Sequence, residues 1–138
     1  GYPGEDEQDF NDTLSLIKEV KFINSYSFIF SPRPGTIAAD LKQVNKSITV
    51  ERLERIQKEL FKNQIELNKN LENQTLEVLV ENLTEDKSQL FGRSEYMTSV
   101  IFDGIKDNIG KIVQVKIKKG NRSTLFGEMI NSTNQKVA

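Results

Sequence analysis

The stretch that decides the fold is "KIVQVKIKKGNRSTLFGEMI", Lys111 to Ile130. Val113, Val115 and Ile117 alternate with Gln114, Lys116 and Lys118. A period of two puts the first set on one face of a strand and the second on the other. Gly120-Asn121 is a tight-turn signal, and Ser123 to Ile130 alternates again, so the segment reads as a β-hairpin. Upstream, "TLEVLVEN" (Thr75 to Asn82) alternates Leu76, Val78 and Val80, and "SQLFGRS" and "MTSVIFD" come after it. Five short strands with no helix between them predict a small closed barrel of the OB type, because closure removes exposed edges. The polar tail from Asn131 to Ala138 reads as frayed.

The first half has a different rhythm. "GYPG" (Gly1 to Gly4) is a turn, and Glu5, Asp6, Glu7, Asp9 and Asp12 crowd the residues after it. Negative charge is favoured at a helix N-terminus. Phe10, Leu14 and Ile17 then recur at helical spacing, predicting a helix from Glu7 to Lys21. Tyr26, Phe28 and Phe30 alternate with Ser25, Ser27 and Ile29, predicting a strand stopped by Pro32 and Pro34. Ser47 to Asn70 carries Leu53, Ile56, Leu60 and Leu67 in one stripe, with Glu51–Arg55 and Glu54–Lys58 four apart. A helix packed on its own chain fits this stripe, and a coiled coil is the rival. Turn, helix, strand, loop is the βα rhythm of an α/β sheet. It implies a strand upstream of Gly1, and the first methionine is Met97. The expected class is α+β, with residues 1–72 as one domain and 73–138 as the other.

Composition removes whole classes of chemistry. The 138 residues include no cysteine and no histidine. Disulfides, Cys/His zinc sites, thiolate-held iron–sulfur clusters and Cys or His nucleophiles therefore cannot come from this chain. Net charge is -1, so global charge selects no partner. No apolar run approaches the ~20 residues of a membrane helix. The carboxylates of "EDEQD" are explained by the helix start, and neither a P-loop nor a dinucleotide fingerprint is present.

Charge is concentrated locally. Lys111, Lys116, Lys118, Lys119 and Arg122 fall between Ile109 and Arg122 with no acidic residue among them. An outward row of lysines could track a phosphate backbone, and Arg93 and Tyr96 in "GRSEYMTS" could add a guanidinium and a stacking ring. A plainer reading is a solvated face whose lysines blunt a strand edge. "SPRPGT" holds Arg33 between two prolines, either as a ligand contact on a stiff loop or as a solvated connector.

In order, "GYPGEDEQDF", "SYSFIFSPRPGT", "ERLERIQKEL", "LFGRSEYMTSVIFDG" and "IGKIVQVKI" resemble the C-terminal part of the bacterial tRNA methylthiotransferases of the MiaB type. The resemblance implies the terminal β/α elements of a partial radical-SAM (βα) barrel, followed by a TRAM domain, a five-stranded OB-like antiparallel barrel that binds tRNA. It implies a reaction that adds a methylthio group to carbon 2 of isopentenyladenosine beside the anticodon. S-adenosylmethionine and two iron–sulfur clusters are the implied cofactors, the cytoplasm the implied location. Gly1, Gly4, Glu5 and Arg33 are the residues it places near the cofactor, and the anticodon stem-loop and the upstream part of the same enzyme are the implied partners. The family's cluster cysteines have no counterpart here, so the expectation is a piece that binds RNA without catalysis. The alternative is a protein-interaction barrel without catalysis. Ile37 stands where the family commonly has proline.

Overall fold

The structure is a computed structural model that describes residues 1–130. The chain divides into two compact units, Gly1–Gln64 and Ile65 onward.

The first unit is helical. Helix α1 spans Glu7–Val20 and helix α3 begins at Lys46, with a single turn, α2 (Ile37–Asp40), between them. Asp6 caps α1: its carboxylate accepts from the backbone N–H of Gln8 and Asp9, and the Asp9 side chain accepts from the N–H of Asp6 in return. Such a reciprocal cap satisfies N–H groups that a helix start leaves open. The acidic run is thus absorbed by helix geometry, as its position implied. Phe10 and Ile17 turn inward, and Asn63 donates its amide to the Ile17 carbonyl at 3.2 Å.

Residues 25–30 do not form the expected strand. The alternation is present, but the unit contains no other strand, and a strand without a ladder partner has no backbone bonds to define it. Tyr26 is 86% exposed and Phe28 83%. Phe30 has a ring partner, Tyr2, edge-on at 5.1 Å.

Helix α3 ends at Asn70, and the second unit continues into five strands: β1 (Thr75–Leu83), β2 (Leu90–Ser94), β3 (Ser99–Asp103), β4 (Ile112–Gly120) and β5 (Thr124–Met129). They close in the order β1-β2-β3-β5-β4, the barrel expected. Four of the five ladders are antiparallel, and β3 with β5 is parallel. That pairing departs from an all-antiparallel barrel. β4 lies between β3 and β5 in sequence but not in space, so β5 returns beside β3 in the same direction. A short 3₁₀ turn, Lys106–Asn108, lies on the long β3–β4 connection and has no apolar period that would announce it.

Alternate residues fill the interior: Leu76, Val78 and Val80 from β1, Leu90 from β2, Val100 and Phe102 from β3, Val115 and Ile117 from β4, Leu125 from β5. Gly127 permits close approach, since a Cβ there would stand 2.6 Å from the Lys116 carbonyl oxygen of β4. Register slips once on β1, between Val80 and Asn82, and once on β4, between Ile117 and Lys119. Glu81 and Lys118 are the extra residues, and each bulge sharpens the strand's curl. The polar tail from residue 131 lies outside the described residues.

Phe102 is fully buried at the centre of this core. Phe102→Ala should therefore cost roughly 3–5 kcal/mol, read as a lower denaturant midpoint for the barrel's near-ultraviolet signal.

Candidate nucleic-acid interface

The outward faces of the barrel strands carry the candidate residues, and register decides which of them meet. The β2–β3 turn and the β4–β5 turn lie at the same end, because β3 and β5 run parallel with Ser99 beside Thr124. Arg93 pairs with Ser99, one strand from Thr124. Tyr96, in the β2–β3 turn, is 40% exposed, and its backbone N–H donates to the Ser94 hydroxyl at 3.3 Å. Lys119 and Arg122 lie at the end of β4 and in the turn after it, with Lys116 and Lys118 just behind. The turns thus bring Tyr96, Lys118, Lys119 and Arg122 toward one end of the barrel with Lys116 behind them, whereas Arg93 pairs with Leu79 and through it lies on the row of Ile112, the residue after Lys111. Lys111 sits at the far end of β4, about 27 Å from Lys119 at an extended rise. It anchors the opposite side, where its carbonyl accepts from the Val80 N–H at 2.9 Å.

These cations do not all stand alone. Lys118 pairs with Glu128 at 3.0 Å, and Arg93 with Glu81 at 3.4 Å. Arg93 also lies over the Phe91 ring at 5.8 Å. No ion pair is found for Lys116 or Lys119 among the described residues.

The β4–β5 turn is held from below. Asn68, in the last turn of α3, is buried and donates its amide to the carbonyls of Asn121 (2.7 Å) and Arg122 (3.1 Å). Glu72 accepts from the Gly120 N–H at 3.0 Å, and a Cβ on Gly120 would meet the Asn68 carbonyl at 2.6 Å. Asn121 completes the turn by accepting from the N–H of Ser123 and Thr124. The basic turn is therefore positioned by a buried amide that a helix stripe does not reveal.

Two aromatic residues escaped the sequence reading. Phe91 pairs with Ile101, Ile101 with Phe126, and Phe126 with Lys119. Directly opposed residues share a face, so an outward row Phe91–Ile101–Phe126 ends on Lys119. Phe91 and Phe126 lie 35 positions apart, and only the parallel β3–β5 ladder brings them together. Period-two alternation marks their strands but not their neighbours.

The proposed cofactor residues belong to the first unit. Gly4 has φ +92, a left-handed turn that favours glycine. Gly1 and Glu5 line a cavity of about 270 Å³ with Phe10, Thr49 and Arg52. Arg33 does not line it; its carbonyl closes a turn with Thr36 at 2.8 Å instead. Arg52 is the missed residue. Its side chain is only 7% exposed and bonds Glu5 at 2.9 Å and Glu7 at 3.2 Å, while Arg55 lies over the Phe10 ring at 4.5 Å and also reaches Glu7. Burial pushes the Glu5 carboxyl up, the Arg52 guanidinium bonded to it draws it down, and the net shift is downward. Hydrogen bonds from Arg52 and Arg55 lower Glu7. Iron–sulfur clusters need thiolates, and the chain has none, so its donors do not fit such a cluster.

Comparison with known proteins agrees with this geometry. The TRAM domain family matches residues 69–130. The tRNA-2-methylthio-N(6)-dimethylallyladenosine synthase of Pelagibacter ubique (strain HTCC1062) is 62% identical over 138 residues, all of this chain and 31% of that protein. The synthases of the same name from Ruthia magnifica and Clostridium novyi are 43% and 42% identical, over 94% of this chain and 30% and 29% of theirs. The chain spans about three tenths of the length of the curated relatives it matches.

The clamp predicts an acid limit. Glu5 and Glu7 have folded pKa values below their usual 4.5, so the stability they add is present above that value and is lost as pH falls through the lowered values. Helical signal from the first unit should fall on acidification below about pH 4.5, and Arg52→Met should weaken that dependence while Arg55 still holds Glu7. An acid profile unchanged in Arg52→Met would contradict the clamp. Residues 69–130 match the TRAM domain family, and the whole chain is similar to the C-terminal part of these tRNA-2-methylthio-N(6)-dimethylallyladenosine synthases.

Proposed function

We propose that this chain supplies the tRNA grip of an enzyme that places a methylthio group on an N6-modified adenosine next to the anticodon. The observation that carries the reading is the basic end of the TRAM barrel, where Lys116 and Lys119 on β4 and Arg122 in the turn after it lie at the same end as Tyr96. Cations on one end of a small barrel neutralise phosphates and release counterions, which makes binding strong and salt-dependent. The relatives' name gives a methylthiolated tRNA adenosine as the product.

In this reading the chemistry is supplied by S-adenosylmethionine and iron–sulfur clusters held by another part of the enzyme, in the cytoplasm. Gly1, Gly4 and Glu5 form the turn presented toward that part, with Arg33 on a neighbouring loop. Tyr26 and Phe28 support the same view: two exposed rings on an extended segment suit a strand of the enzyme's remaining portion as partner. Among the described residues no helix is long and apolar enough to cross a membrane.

The test is binding of a tRNA anticodon stem-loop by the 138-residue chain across salt. With about four phosphates neutralised, log K should fall against log salt with a slope near -3. Lys116→Glu with Lys119→Glu should weaken binding at least ten-fold at low salt. Binding that ignores salt, or ignores these substitutions, would defeat the proposal.

A further inference from the structure

The outward row Phe91–Ile101–Phe126 has ends of opposite charge. At the β4 end stands Lys119, beside the bulged Lys118 and close to Arg122. At the β1 end, Phe91 pairs with Asn82, next to the bulged Glu81, whose charge Arg93 offsets, and to the acidic Glu85–Asp86 loop. There the row opens into a groove of about 800 Å³ lined by Glu81, Glu85, Asp86 and Gln89 as well as Phe91 and Ile101. The row spans three strand intervals, about 14 Å. A polyanion laid across it meets attraction on one side and repulsion on the other.

The geometry points to unpaired nucleotides as the ligand of this face, with their phosphates along the Lys119–Arg122 lip and their bases laid across Phe126 and Phe91 toward the acidic groove. This rests on the tRNA-binding reading above and adds which part of an RNA the barrel takes and in what orientation. A single strand has one phosphate backbone and free base faces to stack on rings. A duplex hides its base faces and carries a second backbone, which would fall on Glu85 and Asp86. The acidic lip offers carboxylates that can accept from the exocyclic amino groups of unpaired bases, an exchange that a paired base has already used. The Thr84 hydroxyl at 2.6 Å, and the Ser88 N–H and hydroxyl, donate to Asp86 and fix its carboxylate in the loop.

The test uses the whole chain, a short single-stranded RNA, and the same RNA annealed to its complement, measured by fluorescence anisotropy across salt. The single strand should bind at least ten-fold more tightly than the duplex. Phe126→Leu should weaken single-strand binding roughly ten-fold with the salt slope unchanged, and Phe126→Tyr, which keeps a ring, should restore it. Lys119→Gln should instead reduce the slope by about 0.7, whereas Lys111→Gln at the far end of β4 should leave it alone. Glu85→Gln should raise duplex affinity more than single-strand affinity. Equal affinity for the two forms, or Phe126→Leu binding as the parent does, overturns this inference while leaving tRNA binding standing. Failure of the folded chain to bind either form would remove the tRNA reading itself, and this inference with it.

Discussion

Closure of the barrel is the constraint on which the second unit depends. β1 pairs on one side with β2 and on the other with β4, and the parallel β3–β5 ladder joins the remaining ends. With every strand paired twice, no edge is left to recruit another chain. Closure also forces one residue in two to point inward, and this supplies a core from strands of only five to nine residues. Glycine is required where the curl brings backbones together, as at Gly127 against β4. A barrel this small has little reserve, because a domain of about 60 residues buries only some 60% of its unfolded surface. The helix end that precedes it contributes through Asn68 and Glu72, which tie residues 68–72 to the β4–β5 turn.

The outer surface depends on the same closure. Two bulges, at Glu81 and Lys118, expose residues that strict alternation would have placed otherwise, and they fall at opposite ends of one cross-strand row. Charge on this surface is therefore sorted by topology rather than by sequence blocks. The net charge of -1 conceals it completely. A protein of nearly balanced charge can still present a basic lip, because the field that a phosphate feels is local and is screened within about 10 Å.

Alternation was enough to find the five strands, and their closure into a barrel could be argued from their number and shortness. The ladder order was not legible, because nothing local distinguishes β4 from β5 as the neighbour of β3. For the same reason Phe91 and Phe126 were invisible as a pair. Local density grouped Lys111 with Lys116, Lys118 and Lys119, and only the length of β4 shows that they stand at its two ends. The pattern at residues 25–30 announced a strand correctly as a pattern, but a strand is completed by a partner, and the first unit holds none. Arg52 was hidden by its position in a charged helix. Only the arrival of Glu5 and Glu7 from 45 and more positions away makes its burial tolerable, since a guanidinium without such partners would not leave water.

Amide hydrogen exchange on the full chain tests closure most directly. Protection in the β3–β5 ladder, at Val100, Ile101, Leu125 and Phe126, should match that in β1–β2, because both belong to one cooperative unit. Rapid exchange along β5 and β3 with β1–β2 still protected would show an open sheet with free edges, and the charged lip, the aromatic row and the RNA grip built on them would fall together.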